Sequence, residues 1–125
     1  MAYLWVAIGG AAGAVARYGL GNVVAGRVGR EFPWGTLTIN ATGSLLIGVI
    51  LTWLLERDAG ASTWRPLIVV GVLGGYTTFS AFSYEVVALV DDGRLGRAAW
   101  YVIASVVLGI AACALGVIVT RAALR

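Results

Sequence analysis

The sequence predicts an all-α membrane protein, built as a bundle of four transmembrane helices. Hydrophobic residues make up 60% of the 125 residues and charged residues only 12%. The charged fraction is about half the ~25% that is usual in soluble domains. A soluble domain of this size exposes a large share of its surface, so it could not cover this much apolar area. Four apolar stretches, separated by short polar connections, are each long enough to cross a bilayer.

The four predicted spans leave room for a single domain, which covers residues 1–125. A helix needs roughly 20 apolar residues to cross a hydrocarbon core of ~30 Å. The predicted spans are residues 2–25, 34–55, 66–90 and 98–120. The connections GRVGREFP, ERDAGASTWR and DDGRLGR are short, so consecutive spans should run antiparallel as in a small helix bundle.

The composition also argues against several classes of function. The chain has no His, which excludes a His-based catalytic triad or zinc site. Its single cysteine, Cys113, excludes an intramolecular disulfide, and its apolar surroundings favour a packing role. The net charge is only +3 and all nine basic residues are scattered arginines. No nucleic-acid partner is therefore expected.

The arginines in the connections give no clear orientation in the membrane. Positively charged short loops normally set the orientation. Four arginines are expected on each side: Arg57, Arg65, Arg121 and Arg125 with the two termini, and Arg27, Arg30, Arg94 and Arg97 on the other side. Either another factor such as a partner sets the orientation, or the chain inserts both ways. In the second case two copies could form an antiparallel dimer with a two-fold axis in the membrane plane.

Small residues four positions apart predict close contacts between the helices. In lipid, such pairs allow helix backbones to approach one another. The pairs are Gly9/Gly13, Ser44/Gly48, Gly71/Gly75 and Ser105/Gly109.

Three polar residues within the spans are candidates for function, because polar groups in a membrane are costly. Arg17 either snorkels from the end of the first span or provides a positive charge at a vestibule. Asn40 shares a helix face with Thr36 and Gly43, and it either joins helices or offers its amide to a solute. Glu85 is either a structural hydrogen-bond partner or a carboxyl group that couples transport to protons.

The third span contains a predicted break in the helix. Two glycines, Gly74 and Gly75, are followed by Tyr76 and the β-branched Thr77 and Thr78, a poor helix-forming sequence. Irregular backbone at this depth is tolerated where it is buried or lines a cavity, and its freed carbonyls can coordinate a cation. The alternative is a kinked helix that serves packing alone.

Aromatic and hydroxyl side chains follow the predicted break. Phe79 and Phe82 are three residues apart, and Ser80 and Ser83 repeat this spacing beside them. The edge of an aromatic ring is electropositive, so this row, with Tyr101 and Ser105 of the fourth span, could line a path for a small anion. The alternative is that the rings only pack against lipid or other helices.

Three stretches resemble the CrcB/Fluc family of fluoride channels: GGAAGAVARY, GTLTINATGSLLIG and GVLGGYTTFSAFSYE. They occur in the family's order and spacing, and the four-span length fits the whole chain. The resemblance implies an antiparallel dual-topology homodimer with two fluoride pores, each lined by both subunits. It also implies a structural Na⁺ at the dimer centre, held by backbone carbonyls at the break.

The resemblance assigns roles to particular residues of this chain. It places the Na⁺ on the carbonyls of Gly74 and Thr77 and implies a vestibule role for Arg17. Glu85 matches an acidic position of unassigned role. The positions implied along the pore are Asn40, Phe79, Phe82, Ser80, Tyr101 and Ser105.

The expected function is passive, selective export of fluoride across a prokaryotic plasma membrane, which would relieve fluoride toxicity; no enzyme activity is expected. A small proton-coupled multidrug exporter is the alternative, since that class also has four spans and dual-topology dimers. Such exporters typically carry a carboxylate in the first span, whereas here that span contains Arg17 and the acid, Glu85, lies in the third. A third possibility is a packing subunit that transports nothing.

Overall fold

The computed structural model describes residues 1–57 and 64–125, and the regular structure in these ranges is entirely helical. The first two helices are α1 (Ala2–Val28) and α2 (Trp34–Glu56). The third, α3, covers residues 65–76 and consists of a π-helical stretch followed by a short α-helical turn. The chain then forms α4 (Phe79–Asp91) and α5 (Leu95–Leu124). Part of the predicted second connection, residues 58–63, lies outside the described residues.

Three helical segments are long and apolar enough to cross a membrane: Trp34–Glu56, Arg65–Asp91 and Leu95–Leu124. This confirms three of the four predicted spans by length and composition. The remaining helix, α1, has 27 residues, which at 1.5 Å per residue corresponds to about 40 Å. It is long enough to span, but Arg17 and its many glycines and alanines make it less hydrophobic. Its place in the bundle follows instead from its contacts with α3.

The helices extend a few residues beyond the predicted spans. Hydropathy marks the part of a helix that fits the hydrocarbon, whereas helical hydrogen bonding continues until a residue ends it. Gly29, with φ of 85°, follows α1, and Gly93, with φ of 73°, lies in the turn between α4 and α5. Glycine adopts this left-handed conformation without steric cost, which explains where these helices end.

Ion pairs at the two ends of the bundle agree with the predicted antiparallel order. Arg97 lies 3.8 Å from Glu31, which joins the start of α5 to the first connection. Arg121 lies 3.4 Å from Glu56, which joins the end of α5 to the end of α2. The side chains involved are largely exposed, so these pairs contribute little to stability. They do show that α2 and α5 run parallel to each other, as the second and fourth spans must when consecutive spans are antiparallel.

Glycines bring α1 and α3 into backbone contact. A Cβ atom on Gly9 would overlap the Leu67 carbonyl oxygen, and a Cβ atom on Gly13 would overlap the Val72 carbonyl oxygen. On the facing helix, a Cβ atom on Gly71 would lie 2.9 Å from the Gly9 Cα. The first and third predicted small-residue pairs therefore pack against each other.

The contact between α2 and α5 is also made by small residues. A Cβ atom on Gly48 would overlap the Cys113 carbonyl oxygen, and one on Gly109 would lie 3.6 Å from the Ser44 Oγ. Cys113 is a free, half-buried thiol at this contact, which fits the predicted packing role. The α1–α3 and α2–α5 pairs form the most extensive helix contacts in the described residues.

The predicted break in the third span is present, and it lies at the threonines. Thr77 has φ −79° and ψ 154°, and Thr78 has φ −150° and ψ 119°, so both are extended. Gly74 is helical, with φ −65° and ψ −37°. The two threonines are thus non-helical, because β-branched side chains favour extended backbone, whereas Gly74 and Gly75 remain helical. A Cβ atom on Gly75 would lie 2.5 Å from the Gly10 carbonyl oxygen.

Candidate ion-conduction site at the broken helix

Asn40 of α2 holds the broken segment through two hydrogen bonds to Thr78. Its Nδ2 donates to the Thr78 carbonyl at 2.9 Å, and the Thr78 amide donates to its Oδ1 at 2.8 Å. The side chain thus pairs with the backbone as a neighbouring strand would. This geometry is compatible with Asn40 joining helices and also with Asn40 offering its amide to a solute. An amide has two N–H donors, and the Thr78 carbonyl takes only one of them.

The break redirects the amides that would normally pair with two carbonyls. In a continuous helix the Thr78 amide would donate to the Gly74 carbonyl, but here it donates to Asn40. The Ala81 amide would donate to the Thr77 carbonyl, but it donates to the Thr78 Oγ1 at 3.2 Å, a helix N-cap bond. The carbonyls of Gly74 and Thr77 therefore lose their helical donors, as do those of Gly75 and Tyr76 on the same side of the break.

The freed carbonyls are suited to the Na⁺ that the family resemblance implies. Unwound backbone carbonyls are typical Na⁺ ligands in membrane proteins. Gly74 and Thr77 both line one cavity of about 390 Å³. The neighbouring Gly75 carbonyl is already used, because it accepts a hydrogen bond from Arg17. The chemistry of the donor set therefore fits a monovalent cation.

Arg17 reaches across from α1 to the third span. Its Nε donates to the Gly75 carbonyl at 3.1 Å, and the residue also lines a separate cavity of about 450 Å³. A charged donor makes a stronger hydrogen bond than a neutral one. Arg17 thus braces the helix next to the break and lines the cavity wall, while its vestibule role stays a prediction.

Glu85 joins three helices. Its carboxyl group accepts hydrogen bonds from the Thr36 Oγ1 of α2 at 2.7 Å and from the Tyr101 Oη of α5 at 2.6 Å. Tyr101 is fully buried, with 0% of its surface exposed. The sequence left open whether Glu85 is a structural hydrogen-bond partner or couples transport to protons. The structure shows that it is a hydrogen-bond partner of both hydroxyls.

Glu85→Gln is expected to destabilise the hydrogen-bond network of Thr36, Glu85 and Tyr101. An amide has one acceptor oxygen, so one of the two hydroxyls loses its acceptor, at a cost of about 1–3 kcal/mol for a buried group. We expect a lower melting temperature in detergent, measured by loss of monodisperse protein on heating. Thr36→Val, which removes one donor to the same carboxyl group, should produce a similar decrease. No change in either variant would contradict the structural role of this network.

Aromatic rings form a row beside the break. The ring centroids of Phe79 and Phe82 are 5.6 Å apart, and those of Phe82 and Tyr101 are 5.1 Å apart. Phe32 continues the row, with its ring edge-on to Tyr101 at 5.4 Å. Phe79 and Phe82 thus lie together as predicted, whereas Phe32 was not anticipated because it lies in a connection.

The hydroxyl groups near the row differ in their hydrogen bonding. Ser105 Oγ is buried and has no hydrogen-bond partner among the described residues, and Ser105 lines the same cavity as the two phenylalanines. Ser80 Oγ lies 3.3 Å from the Thr78 Oγ1. Ser83 donates to the carbonyl of Phe79 within its own helix. A buried unpaired hydroxyl is costly, so Ser105 is the hydroxyl best prepared to donate to a solute.

Two cavities meet at the broken segment. The first, which contains Arg17 and Glu85, and the second, which contains Asn40 and Phe82, share Thr78 as a lining residue. The second cavity also contains Phe79 and Ser105. Of the predicted pore positions, Asn40, Phe79, Phe82 and Ser105 are brought together here. Tyr101 lies behind Phe82, and Ser80 lies at the exposed start of α4.

Sequence reasoning missed the Thr42–Tyr76 contact as well as Phe32. The Thr42 Oγ1 and the Tyr76 Oη are 2.8 Å apart. The signal available was a threonine in the Asn40 segment, two residues along the helix, and a tyrosine within the predicted break. Their pairing depends on how α2 faces α3, which the sequence pattern did not reveal.

These features define a helical, multi-pass membrane protein whose broken helix is flanked by cavities lined partly by polar side chains. The chain matches the family described as "CrcB-like protein, Camphor Resistance (CrcB)" over residues 4–117. Because this match covers most of the chain, the protein belongs to the CrcB family.

Several curated relatives carry the name "Fluoride-specific ion channel FluC". The Thermus thermophilus protein is 50% identical over 114 residues, which is 91% of this chain and 90% of the relative. The Coxiella burnetii protein is 47% identical over 122 residues, 97% of this chain and 98% of the relative. The Methylococcus capsulatus protein is 47% identical over 116 residues, 93% of this chain, and this chain spans 51% of that relative's length.

Proposed function

We propose that this protein is a fluoride-selective channel that lets the anion leave the cell passively across the plasma membrane. The observation that carries the proposal is the second cavity, in which the Phe79–Phe82 ring pair, the unpaired Ser105 hydroxyl and the Asn40 amide come together. The names of the curated relatives add support. The proposed channel moves the ion without changing it chemically.

The cavity offers what a small dehydrated anion needs. An isolated ion in hydrocarbon costs on the order of tens of kcal/mol, so a pore must replace its water with other donors. Ring edges, the Ser105 hydroxyl and the second N–H of Asn40 supply weak donors one after another. No single group then holds the ion too tightly, which conduction requires.

A homodimer of oppositely oriented subunits would complete the pore. Phe79, at one end of the aromatic row, is 79% exposed in the single chain, so the row has an open side that a second copy would cover. The equal division of arginines between the two ends is compatible with insertion in both orientations. Lipid would cover the remaining apolar surface.

The Gly74 and Thr77 carbonyls would hold a structural Na⁺ at the dimer centre. A bound cation there would offset the negative ends of several carbonyl dipoles and favour the approach of anions. The chain's own contribution is to keep these two carbonyls free of helical hydrogen bonds and to fix the residues on either side through Asn40 and Arg17.

The proton-coupled exporter receives less support. Its defining group would be a membrane-embedded carboxyl available for proton exchange, whereas both oxygens of Glu85 already accept hydrogen bonds, from Thr36 and Tyr101. If Glu85 coupled transport to protons, Glu85→Gln would abolish it. A fluoride channel should retain efflux in this variant.

Fluoride efflux from proteoliposomes tests the proposal, read with a fluoride electrode and repeated with chloride. We expect loss of fluoride without loss of chloride. Phe82→Ala should slow fluoride efflux about tenfold, which corresponds to ~1.4 kcal/mol in the barrier, because it removes the central ring of the row. Val107→Ala, at an exposed position of α5, is the control. A folded wild-type protein that released no fluoride would refute the proposal.

A further inference from the structure

A hydroxyl pair links α2 to the last turn of α3, directly before the break. The Thr42 Oγ1 and the Tyr76 Oη are 2.8 Å apart. Tyr76 is the final residue of α3, and the extended Thr77 follows it. The ring of Tyr76 packs over Gly43, where an added Cβ atom would lie 3.2 Å from the tyrosine Cδ1. Gly43 thus provides the space in which the tyrosine ring lies.

The direction of this hydrogen bond follows from the neighbouring acceptors. Thr42 Oγ1 donates to the Thr38 carbonyl at 2.7 Å, and the Ile39 carbonyl lies 3.1 Å away. A carbonyl only accepts, and a threonine hydroxyl has a single proton. Thr42 therefore uses its proton within α2, and Tyr76 is the donor in the pair. This fixes both the ring and the rotation of the last turn of α3.

Two contacts from α2 fix the residues on either side of Thr77 at the break. Asn40 binds the backbone of Thr78, and Thr42, two residues along, accepts from Tyr76. Between these two anchors lies Thr77, whose carbonyl is freed by the break. Gly74, another residue with a freed carbonyl, lies in the turn that ends at Tyr76. The position of both carbonyls thus depends on both anchors.

We propose that Tyr76 is a positioning residue that, through its hydrogen bond to Thr42, aims the Gly74 and Thr77 carbonyls at a bound monovalent cation. The inference rests on the cation site of the proposed function and adds the device that sets its geometry. Tyr76 acts through the backbone and needs no contact with the ion. Loss of its hydroxyl should weaken cation binding more than it weakens the fold.

The test measures melting temperature against sodium concentration for the purified full-length protein, with N-methylglucamine chloride keeping the ionic strength constant. A ligand that binds the folded state raises the melting temperature as its concentration increases. We expect Tyr76→Phe and Thr42→Val each to shift the sodium midpoint upwards about three- to tenfold, the range produced by losing one hydrogen bond. The double variant should be no worse than either single one.

Two further variants separate positioning from general destabilisation. Thr42→Ser keeps the hydroxyl and should keep the wild-type sodium midpoint. Tyr3→Phe removes a hydroxyl from a tyrosine that is 92% exposed, and it should also keep that midpoint. An unchanged midpoint in Tyr76→Phe, or an equal loss of melting temperature at every sodium concentration, would overturn the inference. So would a wild-type protein that does not respond to sodium. Fluoride efflux from the same samples reports separately on the proposed function.

Discussion

Asn40→Leu is expected to collapse the broken segment of the third span and to abolish fluoride efflux. Leucine has nearly the same volume but makes neither hydrogen bond to Thr78, so the Thr78 amide and carbonyl lose their partners. Each buried unpaired group costs about 1–3 kcal/mol, which gives a total of about 2–6 kcal/mol.

The free energy of unfolding in mixed micelles and the efflux rate measure the effect of Asn40→Leu. Leu46→Ala, at an exposed position on the same helix, serves as the control for general loss of packing. Asn40→Gln keeps the same groups on a side chain one methylene longer and should lie between wild type and leucine. If Asn40→Leu were as stable as wild type, the two hydrogen bonds would have no energetic importance.

Gly13→Ala is expected to separate α1 from α3. An added Cβ atom would overlap the carbonyl oxygen of Val72 and lie 2.8 Å from the Tyr76 amide nitrogen, and both are backbone atoms that cannot rotate away. Overpacking of this kind costs about 1–3 kcal/mol. Because Arg17 lies one turn further along α1, the movement should also weaken its hydrogen bond to Gly75.

Gly10→Ala provides a matched control on the same helix, since nothing lies within 4 Å of a Cβ atom placed there. Alanine is a better helix former by up to about 1 kcal/mol, so this variant should be as stable as wild type or more stable. The two substituted positions are three residues apart on the same helix, and each substitution adds one methyl group. Equal melting temperatures for both would contradict the observed contact between α1 and α3.

The sequence by itself determined the helical elements and the break between them. A bilayer requires every backbone group to be paired within its own segment, so four long apolar stretches had to be helices. The same rule made the sequence GGYTT conspicuous, and Thr77 and Thr78 are indeed extended. The small-residue pairs also predicted where the backbones meet, because small side chains permit so close an approach.

Only the tertiary structure decided which polar groups meet. Asn40 and Thr78 are 38 residues apart in the chain, and Thr36 and Glu85 are 49 apart. Pairing at such distances depends on the rotation of each helix about its axis. In a soluble bundle the apolar stripe reveals that rotation, but here lipid and helix interior are equally apolar, so the pattern carries little of this information. The partners of Asn40, Glu85 and Tyr76 are therefore properties of the packed bundle, because no periodicity in the sequence marks the faces that meet.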